Sequence, residues 1–275
     1  MRAILVFVLL ACLLWSRWPA TCPSQAVCVS VLDIGQGDAI YIDSPQLDVL
    51  VDGGPDRTVI ERLGMVMPLW DRSIDYLINT HPHADHLNGL ITVLERFRVD
   101  MVFDGDQALP LNVQNIWWGE GHGRGVLTAG EVLDLAPDVS LRVLWPVETF
   151  EGSKLDDPNV GSIILLLQAY DSTMLLTGDA GLDEEGAIAG LAGDIDVLKV
   201  GHHGSRHSSG LGFLTATKPE VAIISAGEND YGHPSDEALA NLAAVGAQTY
   251  TTAEQGTVRV VFLPDGYAIS TLWPN

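Results

Sequence analysis

Cysteine is nearly absent. Only Cys12, Cys22 and Cys28 occur in 275 residues, all close to the start, so no disulfide framework staples the body of the chain. No Cys-x-x-Cys pair exists, which excludes zinc fingers, zinc ribbons and iron–sulfur sites. Positive charge is equally thin: 14 Lys and Arg stand against 36 Asp and Glu, a formal charge of −22, with only Lys154, Lys199 and Lys218 as lysines. That balance excludes a protein that grips nucleic acid through a broad basic surface. Gly35-x-Gly37 lacks the third glycine of a dinucleotide fingerprint, because Ile40 stands there, and no Gly-Lys-Ser/Thr phosphate loop is present. Ser205 follows His203-Gly204, so no nucleophile elbow exists either. From Val27 onward there is no linker or low-complexity tract, and 47 % apolar residues suit a globular domain.

One long apolar run remains, Ala3 to Trp15, preceded by Arg2 and followed by Ser16 and Arg17. A span needs about 20 such residues, and a charged start with a shorter run fits a secretory signal. Residues 1–22 are therefore expected to be a signal peptide or membrane anchor, and 27–275 a single folded domain. Leu9-Leu10-Ala11-Cys12 resembles a lipoprotein box, but Leu13-Leu14-Trp15 after it is no polar tether, so the mode stays open. The expected location is extracytoplasmic: secreted, periplasmic or membrane-anchored. Cys22 and Cys28 could pair in such a compartment.

Short runs of Val, Ile and Leu between turn signals predict strands at Val27–Asp33, Ala39–Asp43, Asp48–Asp52 and Tyr76–Asn79. An amphipathic helix follows from about His86 to Phe97, with Leu87, Leu90, Ile91 and Leu94 on one face. Val99 to Pro158 reads as mostly β. Gly161–Ala169 and Thr173–Leu176 read as a buried hairpin, and Ile195–Val200 and Val221–Ser225 as strands around a helical stretch near Leu211–Thr217. Ser235 caps a helix through Val245, and strands close the chain at Gln248–Tyr250, Val258–Phe262 and Tyr267–Thr271. This order predicts two facing β-sheets with helices outside, rather than the regular βαβ alternation of a doubly wound sheet.

Seven of eight histidines lie in three short stretches. Thr80-His81-Pro82-His83-Ala84-Asp85-His86 follows a strand and opens a helix. Three imidazoles and a carboxylate there cannot all face a core without heavy desolvation cost. In an extended turn His81 and His83 project the same way and can share one cation, while Asp85 and His86 can face a second. Leu175-Leu176-Thr177-Gly178-Asp179 delivers one aspartate at a strand end, the natural bridging carboxylate. Leu198-Lys199-Val200-Gly201-His202-His203-Gly204-Ser205 brings a further imidazole, with Lys199 and Arg206 expected beside the cleft. Tyr231-Gly232-His233 is expected to touch substrate rather than metal.

These segments, with Leu32-Asp33-Ile34-Gly35-Gln36-Gly37-Asp38-Ala39 and Val51-Asp52-Gly53-Gly54, resemble the metallo-β-lactamase superfamily of binuclear metallohydrolases. Within it the chain is similar to the soluble domain of ComEC-type DNA-uptake proteins. The resemblance implies an α/β fold, an αβ/βα four-layer sandwich, with the metals at one sheet edge. It implies two divalent cations, zinc or manganese, on His81, His83, Asp85, His86, Asp179 and His202, with Asp52 orienting a metal-bound imidazole. Superfamily members often supply another histidine before the bridging aspartate. Here the interval holds only His122, and the ComEC-like asparagine is matched by Asn159.

The implied chemistry is phosphodiester hydrolysis of DNA by a metal-bridging hydroxide held in line by Asp85. Asn159, His203 and His233 would assist catalysis, and Ser205 and Arg206 would bind substrate. The implied partners are DNA or another phosphodiester, the membrane through the N-terminus, and a membrane channel. The same metal set would also serve a small-substrate hydrolase acting on a phosphocholine ester, lactone or thioester. A third reading is a binding module with an incomplete metal site.

Overall fold

A computed structural model describes residues 21–273; the N-terminal leader or anchor expected over 1–22 falls almost wholly outside them. In the first half, β1 (Val27–Val31), β2 (Ile40–Asp43) and β3 (Asp48–Val51) form an antiparallel meander. Helix α1 (Thr58–Val66), β4 (Ser73–Ile78), α2 (Ala84–Leu94), β5 (Arg98–Asp104), α3 (Leu111–Trp117) and β6 (Gly123–Val126) follow, with β3 to β6 parallel.

The second half repeats this plan. Strands β7 (Val132–Ala136), β8 (Val139–Trp145), β9 (Ile164–Ala169) and β10 (Ser172–Leu176) are antiparallel. Helix α4 (Leu182–Ala192), β11 (Val197–Lys199), α5 (Leu211–Thr217), β12 (Val221–Ile224), α6 (Asp236–Val245) and β13 (Gln248–Thr251) continue, with β10 to β13 parallel. A short helix α7 (Thr252–Gln255) leads to β14 (Thr257–Leu263) and β15 (Gly266–Leu272), which return to flank β1. The sheets run β15-β14-β1-β2-β3-β4-β5-β6 and β13-β12-β11-β10-β9-β8-β7.

The α/β four-layer sandwich expected from the resemblance is therefore present. Alternate residues of the strands face opposite layers: Met174 and Leu176 of β10 join Val29, Val31, Leu141 and Leu165 between the sheets, whereas Leu175 packs under the helices of the second sheet. Helices α1 to α3 cover the other outer face, where Leu63, Leu87, Leu90 and Trp117 are buried. Burial on both faces explains why the strands read as unbroken apolar runs. Neither sheet is doubly wound, as expected, although the parallel part of each is built from three consecutive βαβ units. Helices α1, α3 and α4 supply the missing crossovers.

Two boundaries also shift. Helix α2 begins at Ala84, two residues before the expected start, and the expected Gly161–Ala169 strand begins only at Ile164, Gly161 being the last residue of a 3-10 turn over Pro158–Gly161. Among the described residues no helix is long and apolar enough to cross a membrane. Cys22 and Cys28 form a disulfide that ties the entry of the chain to β1.

Candidate metal centre

The histidine and aspartate stretches all sit where parallel strands end. Asp52 follows β3, the His81–His86 turn follows β4, Asp179 follows β10, and His202 and His203 follow β11. The repeated topology thus lays corresponding loops of the two halves against each other. Close backbone approach holds them there. Gly53 N–H donates to the His86 carbonyl at 2.7 Å and Gly89 N–H to the Gly54 carbonyl at 2.9 Å. A Cβ on Gly89 would lie 1.7 Å from the Gly53 carbonyl oxygen, so helix α2 seats only because that position is glycine.

Asp52 governs the orientation of two imidazoles. Its Oδ2 accepts from His86 Nδ1 at 2.8 Å and from the Thr80 hydroxyl at 2.7 Å, while Oδ1 accepts from Thr80 N–H at 2.8 Å. The Thr80 hydroxyl spends its only proton on Asp52, so it accepts from His81 Nδ1 at 3.1 Å. His203 Nδ1 lies 3.0 Å from the Ser225 carbonyl, which can only accept. Each Nδ1 therefore carries its proton, and the Nε2 of His81, His86 and His203 faces inward.

Those inward atoms converge on Asp179. Its carboxylate lies 3.3 Å from His86 Nε2, 3.5 Å from His203 Nε2 and 3.8 Å from His81 Nε2. Asp85 Oδ2 is 3.4 Å from His203 Nε2. His83 Nδ1 lies 3.0 Å from His81 Nε2 and opens to the cleft. His86 Nε2, His203 Nε2 and Asp179 Oδ1 are all buried with no hydrogen-bond partner. Three orphaned buried atoms aimed at each other cost several kcal/mol unless something pairs with them. A divalent cation fits that donor set: His81, His86 and Asp179 present atoms within 4.8 Å of one another, as do Asp85, His86 and His203.

Electrostatics follow the same geometry. Burial alone would push both imidazoles down, but Asp179 and Asp52 raise His86 well above its ordinary pKa. Asp179, Asp38 and Asp85 likewise raise His203 to about 9 against its burial. Asp179 is held well below the carboxylate range by His203, His86 and His81, although burial opposes this. Protons thus occupy positions that a cation would take over.

The remaining expected residues separate clearly. His203 is buried among the candidate donor atoms, whereas His202 stands at the cleft wall with Nε2 3.9 Å from Asp179, outside every close donor group among the described residues. Both residues adopt left-handed backbone angles (φ 48° and 55°), which turns the second imidazole inward. His233 lines the cleft 5.5 Å from the His202 ring, and Ser205 and Arg206 line an adjoining hollow. Asn159 is not brought to the cleft wall. It lies on the 3-10 turn leading to Ser162, whose hydroxyl accepts from Asp179 N–H at 3.3 Å. His122 bonds the Trp117 carbonyl and takes no part.

Lys199 does not face the cleft, contrary to expectation. It is fully buried, donating to Asp38 Oδ2 at 2.8 Å and to the Val200 carbonyl at 2.9 Å. Asp38, with Oδ1 3.5 Å from His203 Nδ1, is a site residue that sequence reasoning missed. The available signal was a pair of opposite charges, Asp38 just ahead of the apolar run Ala39-Ile40 and Lys199 between Leu198 and Val200.

Comparison with known proteins agrees with this geometry. A family model described as "Metallo-beta-lactamase superfamily" matches residues 32–228. The chain is 29 % identical to ComE operon protein 3 of Bacillus subtilis over 263 residues, covering 86 % of this chain and 33 % of that protein. It is 30 % identical to Recombination protein 2 of Haemophilus influenzae, covering 86 % of this chain and 29 % of that protein. The chain thus spans about a third of the length of the curated relatives it matches. Its fold also superposes on the metallo-β-lactamase fold protein YhfI from Bacillus subtilis, with a TM-score of 0.63 at 14 % identity, covering 86 % of this chain and all of that one. The chain belongs to the metallo-β-lactamase superfamily and is similar in sequence to ComEC-type competence proteins.

Proposed function

We propose that this chain is a phosphodiesterase that cuts DNA with a pair of divalent cations, zinc or manganese. The observation that carries the reading is the convergence of His86 Nε2, His203 Nε2 and Asp179 Oδ1, buried and unpartnered, from three separate stretches of chain. His81, His83 and Asp179 would hold one cation, and Asp85, His86 and His203 the other, with Asp179 shared. When bound, such cations supply Lewis acidity that lowers the pKa of water and neutralises charge on phosphoryl oxygens.

The chain's own residues divide the rest of the work. Asp52 and Thr80 fix the tautomers of His86 and His81, and the Ser225 carbonyl fixes that of His203. Burial lowers the pKa of His202 and of His233, which leaves each with a free lone pair at neutral pH. Either is then suited to orient an attacking water or to hydrogen-bond the phosphate. Arg206 supplies a charge for a neighbouring phosphate. DNA as substrate draws support from the names of the relatives, one of which is a recombination protein. The disulfide between Cys22 and Cys28 supports an oxidising, extracytoplasmic location, where a membrane channel partner would present the strand.

The test combines metal analysis with a nuclease assay on the wild type and on an Asp85→Ala, His86→Ala double variant. The wild type should contain metal and cleave DNA, and the variant should lose both. Unchanged cleavage by the variant would overturn the reading.

A further inference from the structure

Tyr231 is an exposed aromatic side chain at the wall of the metal cleft, 75 % accessible, in the segment expected to touch substrate, and what it would touch there is still unassigned. Its ring stacks on His233, with centroids 5.8 Å apart and planes inclined by 30°. His233 in turn meets His202 edge to face at 5.5 Å. A short aromatic ladder therefore runs outward from His202, at the wall beside the candidate donor atoms, and ends on the free face of Tyr231.

The ladder is held rigidly. Asn229 spends its whole amide on the loop that carries it: Nδ2 donates to the Gly227 carbonyl at 2.8 Å and the His233 carbonyl at 2.7 Å, and Oδ1 accepts from Tyr231 N–H and His233 N–H, both at 3.0 Å. One end of the loop is tied to the histidine segment by Ser235, whose N–H and hydroxyl both donate to the Gly204 carbonyl. The other end is pressed against the Gly35-Gln36 backbone, where a Cβ on Gly227 would come within 2.6 Å of Gly35. A surface tyrosine with no contribution to the core has no need of such fixing. Among the described residues, the other exposed aromatic side chains, Trp70, Trp118 and Trp273, lie outside the cleft. On its far side Tyr231 opens into the adjoining hollow lined by Arg206 and His207.

We infer that Tyr231 is a stacking platform for an unpaired nucleobase next to the phosphodiester at the metal centre, making single-stranded DNA the substrate class. The inference rests on the phosphodiesterase reading for its chemistry. A base can lie flat on Tyr231 only after leaving its neighbours, which a strand outside a duplex does at little cost. Stacking on a neutral ring also reconciles a polyanionic substrate with a charge of −22, because it needs no cationic groove.

Two measurements on the metal-loaded protein test this. The first compares KM for single-stranded oligothymidylate with KM for an abasic strand of equal length, in wild type, Tyr231→Ala and Tyr231→Phe. The second measures calorimetric binding of thymidine 5′-monophosphate and of deoxyribose 5-phosphate. Wild type should favour the strand and the ligand with a base by about 10- to 100-fold. Tyr231→Ala should collapse both ratios toward one through KM and affinity rather than kcat, and Tyr231→Phe should restore them. Ratios unchanged by Tyr231→Ala in a protein that cleaves DNA would overturn the platform and leave the hydrolase reading standing. A base preference that depends on Tyr231 in a protein that cleaves nothing would do the reverse.

Discussion

Asp52 Oδ2 lies 2.8 Å from His86 Nδ1 and 2.7 Å from the Thr80 hydroxyl, so a single carboxylate oxygen directs two imidazoles of the candidate metal centre, one of them through a hydroxyl relay. Asp52→Asn suits the left-handed backbone at this position (φ 58°) while weakening both bonds. It should lower zinc affinity about 10- to 100-fold. Thr80→Val breaks only the relay and should cost less. Competition with a chelator of known affinity measures both, and equal affinities in all three proteins would refute the relay.

His202 and His203 make opposite predictions. Asparagine tolerates their backbone angles, so each can be replaced without straining the turn. His203→Asn should reduce the metal content of the purified protein, because its Nε2 lies between the Asp85 and Asp179 carboxylates. His202→Asn should retain its metal and lose kcat. Metal analysis and steady-state kinetics on the same preparations separate the two.

The buried Lys199–Asp38 pair should behave as a unit. Lys199→Met leaves Asp38 charged in the core with His203 Nδ1, 3.5 Å from its Oδ1, as the remaining cationic neighbour, and should cost at most about 3–5 kcal/mol. Adding Asp38→Asn removes the stranded charge and should recover most of that loss in urea unfolding. If the double variant is no more stable than the single one, the two side chains are not coupled.

Asp48 gives the fold a pH dependence away from the metal. Burial, and then crowding by Asp43, Asp75 and Asp71, push it up from 3.8 to about 7, although the Tyr41 hydroxyl donates to it. The folded protein holds this proton more tightly than the unfolded chain. The Asp48 contribution is thus complete below about pH 4 and is lost as the pH rises through about 7. Asp48→Asn keeps an acceptor for Tyr41, and should raise the Tm at pH 8 by several degrees and flatten its pH profile. A Tm at pH 8 equal to that of the wild type would refute the assignment.

Legibility in the sequence followed physical pattern. Strands buried on both faces show as short apolar runs, and the His81–His86 turn is dense enough in ligand atoms to stand out. Helix α4 was hidden because Gly186 and Gly190 interrupt it, although Asp183, Glu184 and Glu185 in its first turn were a usable signal. Helix α1 buries only Val59, Leu63 and Val66, too brief a stripe to show its period. The choice between His202 and His203 depends on two positive φ angles that no local pattern announces. The environment of Lys199 depends on Asp38, 161 residues away in the chain.

The doubled architecture has a mechanical consequence. His81, His83, Asp85 and His86 come from the first sheet, whereas Asp179 and His203 come from the second. A bound ion is then a clamp bolting one half of the molecule to the other. Sliding of the two leaves by even an ångström would register at the bolt.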